Sequence, residues 1–194
     1  MNEQVPPDGA GRVILVKHAQ PIPDPSKPAR EWQLGPEGVS QAHRLAAALR
    51  AFSPLRVVSS PEPKAVQTAG VVAAELGCDV TILDDLREID RPVLPILTAI
   101  DHEALNERLF VDFDEPVLGI ESARAARHRF DRAVRDLLPT DDRTLVVVAH
   151  GTVISLLVSA HNPIDAFRFW RALKCSSFAV LDTSLMLSEV VEVM

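Results

Sequence analysis

Cys78 and Cys175 are the only two thiols in this 194-residue chain, and they form no C-x-x-C pair. So far apart, they suit small buried hydrophobes in a reducing compartment, and no disulfide is expected. No apolar run approaches the roughly 20 residues of a membrane-spanning helix, and residues 1–11 lack the charged-then-apolar pattern of a secretion signal. A cytoplasmic protein that does not bind membranes is therefore expected. Common catalytic signatures are missing too. There is no G-x-S-x-G, no G-x-x-x-x-G-K and no G-x-G-x-x-G, and His102-Glu103 lacks the second histidine of H-E-x-x-H. Metal-ligand spacing is absent, so neither metal nor cofactor is expected. Lysine is scarce, with four residues against sixteen arginines. A formal charge of −7 argues against a nucleic-acid binder but permits a local basic pocket.

What is present is an ordinary globular balance, 47% hydrophobic and 24% charged, enough for one domain with a sizeable core. Two hydrophobic segments each end in a histidine followed by a small residue. They are Val13-Ile14-Leu15-Val16-Lys17-His18-Ala19 and Leu145-Val146-Val147-Val148-Ala149-His150-Gly151. Short β-branched runs of this kind read as buried parallel strands, and open parallel sheets bind ligands at the carboxyl ends of their strands. Both imidazoles should stand on that edge. A lone histidine there would only cap the sheet; a matched pair suggests a site. Leu55-Arg56-Val57-Val58-Ser59-Ser60 is a third such strand. The helix that follows from Pro61 carries Lys64 in its first turn, where the positive end of the helix dipole disfavours a cation. Binding an anion would explain it.

Between these segments the chain alternates strand and helix without an internal repeat, which indicates an α/β fold. A loop with Pro21, Pro23, Pro25 and Pro28 should arch over the sheet edge. Gly35-Pro36 opens a helix to Ala51 with Val39, Ala42, Leu45, Ala46 and Leu49 on its inner face. The Pro61 helix ends at Leu76 with Gly77 as its cap, and 79–83 reads as a strand. Residues 91–118 mix apolar and acidic positions without one period and should form a lid of one or two short helices. A long helix over 122–138 places Ala123, Ala126, Phe130, Val134 and Leu137 inward and leaves Arg124, Arg127, Arg129, Arg132 and Arg135 as a solvated face. A helix over 152–160, another capped by Asn162-Pro163, and strands over 177–182 and 185–193 complete the chain. Two histidines and two lysines thus converge on one edge. Imidazole is both a nucleophile toward phosphorus and a hydrogen-bond donor, and cations neutralise the oxygens of a transferring group. The set suits phosphoryl transfer.

Leu15-Val16-Lys17-His18-Ala19 resembles the L-V-R-H-G signature of the histidine phosphatase superfamily, also called phosphoglycerate-mutase-like. Ser59-Ser60 with Lys64-Ala65-Val66-Gln67-Thr68-Ala69 is similar to its S-S-x-x-x-R-A-x-Q-T-A stretch. Leu86-Arg87-Glu88-Ile89 fits its L-x-E segment, Gly119-Ile120-Glu121-Ser122 its G-E-S with one residue inserted, and Val146-Val147-Val148-Ala149-His150-Gly151 its V-V-S-H-G. The ordered set covers about residues 12–182. It implies a single domain over 1–194, with 1–11 flexible and 91–118 a lid insertion, built as a three-layer α/β/α sandwich with a mostly parallel central sheet. It further implies a metal-independent phosphomonoester hydrolase acting on a small phosphorylated substrate. In that scheme His18 is the phosphorylated nucleophile and His150 the second imidazole. Lys17, Lys64 and Gly151 help hold the phosphate. Glu88 is the general acid, with Asp84, Asp85 and Asp90 as competitors.

Three departures bear on activity. Lysine at 17 and 64 keeps the charge of the family's arginines but loses the planar fork that grips two phosphate oxygens. Ala19 replaces a glycine, which is costly if the backbone there needs a positive φ. The G-x-W-E-G that often follows the L-x-E segment is absent. A degenerate member that binds a phosphorylated ligand or partner without efficient turnover is therefore a second reading, and mutase-type transfer a third. Oligomeric state stays open, a homodimer being one option.

Overall fold

A computed structural model describes residues 11–53, 55–90, 98–117 and 120–193. Expectations for 1–10, 91–97 and 118–119, Gly119 of the G-I-E-S stretch included, lie outside the described residues. The elements in chain order are β1 (Val13–Lys17), α1 (Pro36–Leu49), β2 (Leu55–Ser59), α2 (Pro63–Leu76), β3 (Val80–Ile82) and α3 (Ala99–Val111). After these come α4 (Ala123–Asp136), β4 (Thr144–Ala149), α5 (Gly151–His161), α6 (Ala166–Ala172), β5 (Phe178–Leu181) and β6 (Leu187–Val191).

Six strands form one sheet in the order β3-β2-β4-β1-β5-β6. The first four run parallel, and β5 and β6 close one side antiparallel. The central strands are apolar on both faces because both are covered. Successive residues alternate between two cores. Leu15, Leu145, Val147 and Leu181 face a cluster with Phe130, Val134 and Leu157 from α4 and α5. Ile14, Val16, Val146 and Val148 face Leu45, Leu49, Ala69 and Val72 from α1 and α2. The expected three layers are present.

Several local expectations need correction. On α1 the buried stripe is Gly38, Ala42, Leu45, Ala46 and Leu49, with Val39 exposed. Gly38 belongs to the stripe because a Cβ there would come within 2.2 Å of the Gln20 carbonyl, so glycine lets α1 approach the loop after His18. Asp165, not Asn162-Pro163, caps α6 by accepting the Arg168 N–H. Asn162 instead donates to the Val158 and Leu185 carbonyls and accepts the Leu187 N–H, tying α5 to β6. Within 91–118 the structure shows α3, capped by Thr98.

Residue 129 departs most from the sequence reading. Ser122 caps α4, worth about 1 kcal/mol, while truncating a buried phenylalanine such as Phe130 costs about 3–5 kcal/mol, so packing fixes this helix more than its cap does. Beside that stripe Arg129, read as solvated, is buried. It grips Glu121 with two nitrogens, at 3.0 and 2.8 Å, and donates to the Asp85, Arg87 and Glu88 carbonyls. Burial is affordable for arginine here because nearly every N–H has an acceptor. The pair holds down the segment that carries Glu88. Arg129→Ala should therefore cost on the order of 3 kcal/mol by stranding Glu121, lowering the thermal unfolding midpoint by roughly 10 °C, whereas an unchanged midpoint would show the pair to be dispensable.

Candidate active site

Lys17 pairs with Ala149 across the parallel β1–β4 ladder, so His18 and His150 leave neighbouring strand ends side by side. The His18 N–H donates to the Ala149 carbonyl at 3.0 Å, and the two ring centroids lie 5.2 Å apart at 60°. Both rings are buried, 8% and 1% exposed respectively. His18 Nδ1 donates to the Ala19 carbonyl at 2.8 Å, which fixes the tautomer and leaves the lone pair on Nε2. Ala19 is fully buried, with its N–H on Thr68 Oγ1. Among the described non-glycine residues only Ser176 and Leu185 have positive φ, so alanine at 19 carries no backbone strain. Burial holds the basicity of His18 well below the ordinary imidazole value, and repulsion from His150, Lys64 and Lys17 lowers it further.

Neither lysine presents itself as a simple phosphate cation. Lys17 Nζ donates to the Leu173 carbonyl at 2.7 Å, and burial lowers its pKa. It packs over Gly151, where a Cβ would come within 3.4 Å of Nζ and of the Trp170 ring. Lys64, 6% exposed, donates to the Ala29 carbonyl at 2.7 Å, in the proline-rich loop that does arch over this edge. Its other partner is the Glu62 carboxylate. The anion expected beside Lys64 is thus supplied by the chain itself.

Glu62 was not singled out from sequence. It is 8% exposed; one carboxylate oxygen pairs with Lys64 and the other accepts the Glu88 N–H at 2.9 Å, lying 3.5 Å from His150 Nε2. Ser60 Oγ accepts the Glu62 N–H and lies 2.7 Å from the same imidazole nitrogen. Glu88 turns its carboxylate onto α5, accepting the Thr152 and Val153 N–H groups at 3.1 and 3.3 Å, and its own neighbour Ile89 at 2.9 Å. A carboxylate suits that positive helix end. Asp84 and Asp85 instead pair with Arg87 and Arg132 on the surface. Of the acidic candidates in 84–90, then, Glu88 is the one brought to the helix that His150 starts. Trp170, stacked on Phe167 and 5.5 Å from His102, walls the Gly151 side. Among the described residues no three His, Cys, Asp or Glu side chains are grouped to hold a metal ion.

Residues 13–184 match the histidine phosphatase superfamily (branch 1), and the chain belongs to that superfamily. A probable phosphoglycerate mutase GpmB of Salmonella paratyphi A is 30% identical over 149 residues, 72% of this chain and 69% of that protein. A mycobacterial glucosyl-3-phosphoglycerate phosphatase, solved with inorganic phosphate, superimposes with a TM-score of 0.69 at 28% identity, covering 89% of each chain. A phosphoserine phosphatase of Entamoeba histolytica shares the fold, with a TM-score of 0.68 at 17% identity over 94% of this chain and 97% of that one.

The lowered basicity of His18 has a testable sign. Because the folded ring resists protonation while the unfolded one does not, the unfolded state binds the extra proton as pH falls through 6.5, and stability is lost on the acid side. Histidine NMR should show His18 as the neutral Nδ1–H tautomer at pH 6.5, and His18→Asn should lose less stability between pH 7.5 and 5.5 than the wild type. A His18 ring already half-protonated at pH 6.5 would contradict the burial argument.

Proposed function

We propose that this chain, acting as one domain, hydrolyses small phosphomonoesters through a phosphohistidine on His18. The observation that carries the reading is the imidazole pair, 5.2 Å apart, with His18 held neutral and its Nδ1 proton fixed on a carbonyl. In the first step Nε2 of His18 attacks phosphorus, the N–P bond forms, and the leaving oxygen takes a proton from Glu88. In the second, water attacks phosphorus as Glu88 takes its proton, and the N–P bond breaks. His150, Lys17, Lys64 and the Gly151 N–H hold the phosphoryl oxygens, the last at the start of α5, where backbone donors favour an anion.

One observation favours the degenerate-binder reading instead: both lysine amines already have acceptors in their own chain. Turnover separates the two. A panel of phosphomonoesters assayed with and without chelator should show hydrolysis that chelator does not affect, and His18→Ala should lower it by about a thousandfold or more. Full turnover in His18→Ala, or loss of wild-type activity on chelation, would remove the histidine mechanism. Phosphate binding without hydrolysis of any panel member would leave the binder.

A further inference from the structure

We infer that Glu62 is the resident counter-ion of the phosphate site: when a phosphoryl group reaches Lys64, the Glu62 carboxyl takes up a proton from solvent and turns from acceptor on the lysine into donor to a phosphoryl oxygen. The inference rests on the phosphate site proposed above. It concerns a residue at one of the unspecified x positions of the S-S-x-x-x-R-A stretch.

The geometry of the carboxylate is the starting point. Its side chain is 9% exposed, so little water solvates its charge. The charged and titratable groups facing it are Lys64 from α2, His150 from the end of β4, and Glu88, whose N–H it accepts. His18 and Lys17, from the end of β1, stand next beyond; Lys64, His150 and Lys17 all bear on the basicity of His18. The Lys64 charge is thus met by Glu62 before any ligand arrives.

A phosphomonoester brings up to two further negative charges into this enclosure. Two anionic oxygens brought together on one buried amine repel unless a proton lies between them. Glu88, the acid and base of the proposed mechanism, lies against backbone amides at the start of α5 and at Ile89. Glu62 spends one oxygen on the Glu88 amide and the other on Lys64, the amine the phosphoryl group needs. Protonating that second oxygen frees the lysine's charge for the ligand, keeps the amide contact, and supplies a new O–H donor. Lysine suits such an exchange better than arginine. Its ammonium is a compact point charge whose partner can change, whereas an arginine fork would lock onto one carboxylate in two bonds.

Sulfate is a suitable probe because it keeps both charges across the working pH range and releases no proton of its own. Sulfate and inorganic phosphate would be titrated calorimetrically into the full chain and into Glu62→Gln at pH 7.5, in two buffers of different ionisation enthalpy. Glutamine mimics the protonated carboxyl, so Glu62→Gln should bind sulfate about tenfold tighter or more and take up about one proton fewer per sulfate. Equal or weaker binding with the same proton count would make Glu62 merely structural and overturn the inference, while leaving the phosphate site intact. Failure of both proteins to bind either anion would remove the phosphate site and the inference together. Should Glu62→Gln not fold, wild-type crystals soaked in sulfate decide. A Glu62 oxygen within about 2.8 Å of a sulfate oxygen requires a proton between them, as inferred. Sulfate absent from an intact Lys64–Glu62 pair, or a carboxylate turned away from the anion, would overturn it.

Discussion

The parallel pairing of β1 with β4, Lys17 opposite Ala149, is the constraint on which the site depends. It brings two distant histidines to adjacent strand ends, and each then meets a different environment. His18 turns its Nδ1 proton back onto the next carbonyl, while His150 starts α5 and faces Ser60 and Glu62. A register slip of one residue would send one imidazole to the opposite face of the sheet, and the apolar residues alternating on both faces forbid that slip. The same packing that stabilises the sheet therefore fixes the spacing of the imidazoles.

Around this pair the charges are arranged as a closed set. Lys64 with Glu62 lies on one side, and Lys17 over Gly151 with Glu88 on the other. Arg129 secures the Glu88 segment from behind, so a residue far from any reacting atom governs where the candidate acid stands. The departures from the superfamily's pattern look different in this setting. Ala19 costs nothing, because the backbone there is not left-handed. The lysines are part of a local arrangement in which a carboxylate of the same chain already occupies one of them.

The sequence exposed the fold through its strands. Val13–Lys17, Leu55–Ser59 and Thr144–Ala149 are short β-branched runs covered on both faces, the pattern of buried parallel strands. Gly77, at φ 68°, ends α2 where expected. His18 and His150 drew notice because each follows such a strand, and Glu88 only through its place in an ordered family pattern. Glu62 did not: a carboxylate just before a helix reads as a solvated cap, and only the fold shows that its charge points inward at Lys64. The available signal was a carboxylate two residues from a lysine already marked as needing an anion. Arg129 was missed because it borders the apolar stripe of α4 without belonging to it, and helical spacing cannot say whether a flanking arginine finds a buried partner. Asn162 read as a cap for the same reason: its partners, Leu185 and Leu187, are distant in sequence.

The central claim is that phosphoryl transfer passes through His18. It is tested most directly by mixing the chain with a phosphomonoester labelled at phosphorus, quenching within the first turnovers, and mapping the label to a peptide under conditions that preserve phosphoramidates. The account predicts an acid-labile label on the peptide containing His18. Label on a serine or carboxylate, or turnover with no covalent label at any time, would contradict it.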